Sequence, residues 1–209
     1  MKKASKKAGR PAPDARKTEK VRDLLMGAGP FFKGRTCEVA ELVAMQPRRL
    51  ASLIECLWDE DGGVAARAAD ALETVAGEHP RMSQPWKEAL LGLLVESRAI
   101  KLRWHLTLIV TQLKLTRPEC RRVADVLAGW LDDRSSIVKT CAMQGLAELT
   151  LQDKSMKDEV LELLRELTRS GTPAMRARGR HLVKAMELGC DLTWKRIRIE
   201  ARQAARMVR

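Results

Sequence analysis

The chain contains no tyrosine and only two phenylalanines, and aromatic residues make up 3% of it. Sheet cores lean on aromatic and β-branched side chains. Their scarcity beside abundant Leu, Ala, Glu, Lys and Arg excludes a sheet-rich fold and favours helices. Long apolar runs are missing too. The longest, "LLGLLV" at 90–95, falls far short of the roughly 20 residues that span a bilayer, so no membrane segment is expected. The opening "MKKASKKAGRPAPDARK" is basic but has no apolar stretch to act as a signal-peptide core. The five cysteines, Cys37, Cys56, Cys120, Cys141 and Cys190, are odd in number and include no C-x-x-C pair. A reduced, cytoplasmic setting is therefore expected, with the thiols acting as small buried hydrophobes.

Catalytic constellations are equally scarce. There is no glycine-rich phosphate loop. His79, His105 and His181 stand far apart, and none has a His, Cys or acid at a recognised metal-ligand spacing, so neither a metal site nor a cofactor is expected. Ser135 and Ser136 have no nearby base and read as a helix cap. Asp59, Glu60 and Asp61, like Asp132 and Asp133, form acidic clusters, but both fall at one recurring place in a repeated pattern. A structural role follows, and no enzyme is expected.

That pattern is the main content of the sequence. From Val64, Ala68, Ala69 and Leu72 lie at +4, +5 and +8; from Val138, Ala142, Met143 and Leu146 do the same. Asp59 and Asp133 lie five before these two anchors, which are 74 residues apart. An intermediate copy begins at Ile100, with Lys101, Trp104, His105 and Leu108, and a fourth at Met175, with Arg176, Leu182 and Val183. In the fourth, Gly179 and Arg180 stand where small apolar residues belong. Each anchor follows its own apolar helix, marked by Leu90, Leu93 and Leu94, by Val123, Leu127 and Leu131, or by Val160, Leu164 and Leu167. Thr116–Glu119 spells a capping box, and Thr172-Pro173 an N-cap followed by proline at the first helical position.

Every unit thus reads helix, polar turn, helix. One pair cannot bury both apolar stripes, so successive pairs must stack around a continuous core. The run of turn acid, Val-(Arg/Lys) and Ala-Ala-x-x-Leu resembles the HEAT repeat, over residues 47–188. The resemblance implies an all-α, right-handed α-α superhelix of about four helical hairpins, at about 47–79, 83–115, 116–151 and 155–188, within a domain spanning 15–190. Helices at 16–29 and 36–46 would cap its first end. Residues 1–14 are expected to form a disordered basic tail, and 191–209 a basic C-terminal helix. In such stacks a turn acid meets the basic residue at +1 of a neighbouring repeat, which assigns Asp133 to Lys139 or Arg176. The second copy then lacks the turn acid, because Val95 holds its place.

What the resemblance implies for function is an interaction surface. Second helices line the concave face of these solenoids, which makes Lys101, Arg103, Trp104, Lys139, Arg176 and Arg178 the candidate contacts for a protein partner. Trp104, at +4, is equally a candidate for core packing. DNA glycosylases of HEAT-like build place a Trp and a catalytic Asp one turn apart. Here Leu108, Leu90 and Arg134 follow Trp104, Trp86 and Trp130 by one turn, so that alternative is remote.

Charge points to a second class of partner. The net charge is +12, of which residues 1–20 carry +6 and residues 191–209 carry +4, leaving the body close to neutral. Lys195, Arg198, Arg202, Arg206 and Arg209 fall on a strip about 80° wide at helical spacing. They form either a solvated helix face or a contact for nucleic-acid phosphates. In the first tail, Lys6 and Lys7 precede Gly9-Arg10-Pro11, a tripeptide centred on Arg10 that resembles the core of an AT-hook. Nucleic-acid binding through these basic ends is the alternative to a protein partner.

Overall fold

The computed structural model describes residues 20–26 and 35–192. Helices account for all the regular structure, and among the described residues there is no strand. The α-helices are α1 (Val21–Leu25), α2 (Thr36–Met45), α3 (Leu50–Glu55), α4 (Gly62–Glu78), the single turn α5 (Pro80–Ser83), α6 (Lys87–Glu96), α7 (Ile100–Val110), α8 (Arg117–Gly129), α9 (Ser136–Leu149), α10 (Lys157–Ser170) and α11 (Pro173–Leu188). None is long and apolar enough to cross a membrane.

These helices pair into hairpins α1/α2, α3/α4, α6/α7, α8/α9 and α10/α11. The second members α2, α4, α7, α9 and α11 each pack on the next, making one continuous layer. The expected N-terminal cap is therefore itself a short hairpin, with α2 laid on α4 much as α4 is laid on α7. The side chain of Arg67 fastens it: its Nε donates to the carbonyl of Leu25 at 2.5 Å, offsetting a carbonyl that the short helix α1 leaves unpaired. The core is a single cluster of Leu, Val, Ala and Met running from Val21 to Leu192.

Helix starts fix the true period. The residues before α4, α7, α9 and α11 are Asp61, Ala99, Ser135 and Thr172. Three residues after each cap lies a buried apolar anchor: Val64, Leu102, Val138 and Met175. The second anchor is thus Leu102 and not Ile100, which opens α7 and is 49% exposed. In the shifted frame Ser97, not Val95, takes the place of the turn acid, and Trp104 moves off the core side to a half-buried position. The cause is chemical. Asp61, Ser135 and Thr172 accept a backbone N–H from the first turn of their helices, whereas Ala99 has no side-chain acceptor and leaves the start of α7 unmarked.

Gly179 stands at +4 from Met175, where the other repeats carry Ala68, Leu106 and Ala142. A Cβ there would lie 2.1 Å from Oγ1 of Thr168 on α10 and 3.3 Å from Cε of Met143 on α9. Close approach of three helices requires the missing side chain.

Between α7 and α8 the chain is gripped from both sides. Nε2 of Gln84 donates to the carbonyl of Lys114 at 3.0 Å, and the Lys114 N–H donates back to Oε1 at 2.9 Å. The Leu115 N–H donates to Oε1 of Gln152 at 3.0 Å, whose Nε2 donates to the carbonyl of Thr111 at 2.9 Å. Two side-chain amides thereby satisfy linker backbone that no helix serves.

Candidate partner-binding face

The layer of second helices brings together most of the polar groups that the body of the protein buries. Glu73 of α4 and His105 of α7 meet with Oε2 and Nδ1 2.6 Å apart, and they are 3% and 4% exposed. The ring of Trp104 stacks on that imidazole with centroids 3.5 Å apart. Farther along the layer, Thr111, the residue that caps the end of α7, donates to Oε2 of Glu148 on α9 at 2.6 Å. Gln144 donates to Oε1 of Glu148 at 2.8 Å and to the carbonyl of Leu192. The α4–α7 and α7–α9 junctions therefore each have their own buried polar partners.

Cys141 lies in this seam. Burial pushes its thiol up to about 12; Glu73 adds to the shift, Arg178 opposes it, and Glu148 adds a little more. A thiol so raised is protonated at neutral pH and is no nucleophile. Burial in turn lowers Arg178 from the usual guanidinium value, with Cys141 and Glu148 opposing.

The edge at which the second helices begin is different in character. Arg103 and Asp133 form an ion pair across the α7–α9 junction, with Asp133 nearly buried. The Nε of Arg103 also donates to the carbonyl of Ser97 at 2.9 Å, and its guanidinium lies 5.5 Å from the centre of the Trp130 ring. Asp133 additionally accepts the N–H of the cap residue Ser135 at 2.7 Å, as Asp59 accepts that of Asp61 at 2.9 Å. Asp133 therefore pairs with Arg103, in place of the expected Lys139 or Arg176. In the Leu102 frame Arg103 is the +1 residue, so a basic +1 residue does meet the next turn acid. The same rung cannot form to the fourth repeat, where Ser170 replaces the acid; Lys139 has no ion pair among the described residues. Asp59 is instead matched by Arg22 of α1 at 2.6 Å, and that hydrogen bond, followed by the one from the Asp61 N–H, holds its carboxyl below the usual range.

Beside this rung is a pocket of about 290 Å³ lined by Arg98, Ile100, Arg103, Asp133 and Arg134. Arg98 and Arg134 are exposed and make no hydrogen bond or ion pair among the described residues. Ile137, at the second position of α9, is 55% exposed on the same edge. Of the residues expected to touch a partner, Lys101 and Arg176 are exposed, Lys139, Trp104 and Arg178 are half-buried, and Arg103 is engaged within the protein. Arg176 also donates to the carbonyl of Gly171 at 3.0 Å. Arg98 and Arg134 were not anticipated, because each lies in a turn and only the stacking makes them neighbours. Lys6, Lys7, Arg10, Lys195, Arg198, Arg202, Arg206 and Arg209 lie outside the described residues.

No family model matches the chain, and no curated protein does. Among solved structures it is similar to two crystal structures of engineered proteins from the Northeast Structural Genomics Consortium. The first matches with TM-score 0.55 at 17% identity over 81% of this chain and 79% of the other. The second matches with TM-score 0.52 at 17% identity over 80% of this chain, which spans 42% of that longer molecule. At this identity the likeness is one of fold, a stack of helices of the repeat kind.

Proposed function

We propose that the chain is a HEAT-type α-solenoid and a non-enzymatic scaffold that binds a protein partner along the edge and face of its second helices. Basic +1 residue and turn acid, paired as Arg103 and Asp133, support the HEAT reading. The observation that carries the functional reading is the pocket formed by Arg98, Ile100, Arg103 and Arg134, where two exposed guanidiniums flank an exposed aliphatic side chain. Arginine beside an apolar contact suits a segment with carboxylates and a branched aliphatic residue. The buried seam offers no activated nucleophile, since Cys141 is held protonated. All five cysteines are free, in keeping with a cytoplasmic protein.

Affinity capture with the full chain, from extract treated with nuclease and from untreated extract, tests this. A stoichiometric protein retained after nuclease and released by the R98E/R134E double variant is the expected result. Capture that vanishes with nuclease and survives R98E/R134E would transfer the function to nucleic acid and the basic ends.

A further inference from the structure

We propose that Asp70, Glu73 and His105 form a site for a divalent transition-metal ion of the zinc class, held between α4 and α7. Asp70 and Glu73 are three residues apart on α4, so both carboxylates project from one side of the helix. His105 comes from α7, which packs directly on α4. The candidate ligand atoms of the three side chains all lie within 4.8 Å of one another. Atoms held by one ion through bonds of about 2.0–2.2 Å stand at most about 4.4 Å apart, so a small inward shift of the side chains, with the Glu73–His105 hydrogen bond exchanged for bonds to the ion, would bring the three onto one centre.

Charge and burial favour the same assignment. Glu73 and His105 are almost wholly withdrawn from water, while Asp70 is only partly buried. Two carboxylates and one imidazole sum to a negative charge whether or not the imidazole is protonated. A bound dication would add positive charge to a junction that draws two carboxylates away from water. The partial exposure of Asp70 opens the group to solvent on one side and supplies a route for the ion.

The donor set fixes the class of metal. One nitrogen and two carboxylate ligands suit zinc, iron(II), cobalt(II) or manganese(II), and lack the thiolates that select copper(I) or iron–sulfur clusters. Three protein ligands leave a further position for solvent. The ligands come from adjacent hairpins, so the ion clips α4 to α7 and stabilises the stack at its second junction.

The test uses the full-length chain stripped with EDTA, then titrated with zinc by calorimetry and with cobalt by visible absorption. One equivalent binding in the micromolar range or tighter, a cobalt spectrum of nitrogen–oxygen ligation and a raised Tm on zinc addition are expected. D70N and H105Q should each weaken binding by about tenfold or more. D70N, at the partly exposed ligand, should retain the helical circular dichroism of the wild type in EDTA and so remains decisive if H105Q fails to fold. Absence of saturable binding to the stripped wild type, or affinity unchanged in D70N, would overturn the assignment.

Discussion

Arg103, one residue after the buried anchor of its hairpin, is joined to Asp133, five residues before the anchor of the next. The pair is a junction more than a surface contact. Asp133 also accepts the Ser135 N–H that sets the start of α9, and Arg103 also holds the Ser97 carbonyl and the Trp130 ring. Removing Asp133 leaves Arg103 without its acid and α9 without its turn bond. D133A should lower stability by about 2 kcal/mol, the scale of a hydrogen bond to a charged group, as read from urea denaturation. R103K should recover little of an R103A loss, since lysine cannot make the forked contacts; equal stability of R103K and wild type would contradict this role.

Glu119 sets part of the acid limit. Its carboxyl is lowered from 4.5 to about 2, first by the hydrogen bond from Lys87 and then by that from the Thr116 N–H. A folded-state value below the unfolded one adds stability that is complete above the unfolded value. That stability is lost as pH falls from about 4.5 towards about 2. In thermal melts across that window, E119Q should show a flatter decline than the wild type. An unchanged slope would assign the acid sensitivity to Asp59 and Asp153, which are also lowered.

Two glycines should respond in opposite directions. A methyl at Gly179 meets Thr168 and Met143, so G179A should cost about 1–3 kcal/mol through overpacking. Gly92 lies inside α6 with nothing within 4 Å of its would-be Cβ, so G92A should gain about 0.5–1 kcal/mol by helix propensity. Both are checked by Tm. A stable G179A would mean that α10 and α11 approach less closely than described.

Thiol accessibility separates the cysteines. Cys37 and Cys190 are exposed, whereas Cys56, Cys120 and Cys141 are buried and each is raised chiefly by burial. A native chain treated with an aromatic disulfide reagent should react quickly at the two exposed thiols, and at the other three only after denaturant. Fast native reaction of C141 in the C37S/C190S variant would be the contrary result.

Helical hairpins were legible because a helix that packs on two neighbours needs an apolar residue at nearly every inward turn, and Val64, Val138 and Met175 supply it. The register at 100 was not. Ile100-Lys101 imitates the Val-Lys of the third repeat, and Ala99 cannot mark a helix start as Asp61, Ser135 and Thr172 do. That slip of two also hid Arg103 as the partner of Asp133. Glu73 and His105 were beyond reach for another reason. They are 32 residues apart, and only the laying of α7 on α4 brings them together, so no local ligand spacing records them. Arg98 and Arg134 became a pair in the same way.

Gln84 precedes the hairpin α6/α7 and Gln152 follows the hairpin α8/α9, yet both grasp the short connection between the two. Those four helices are thereby buckled into one block at a shared connection, whereas single arginines, Arg67 to Leu25 and Arg22 to Asp59, tie the first hairpin to the second. Drawn out from its two ends, the molecule should shed its outermost pairs first and surrender this central block last.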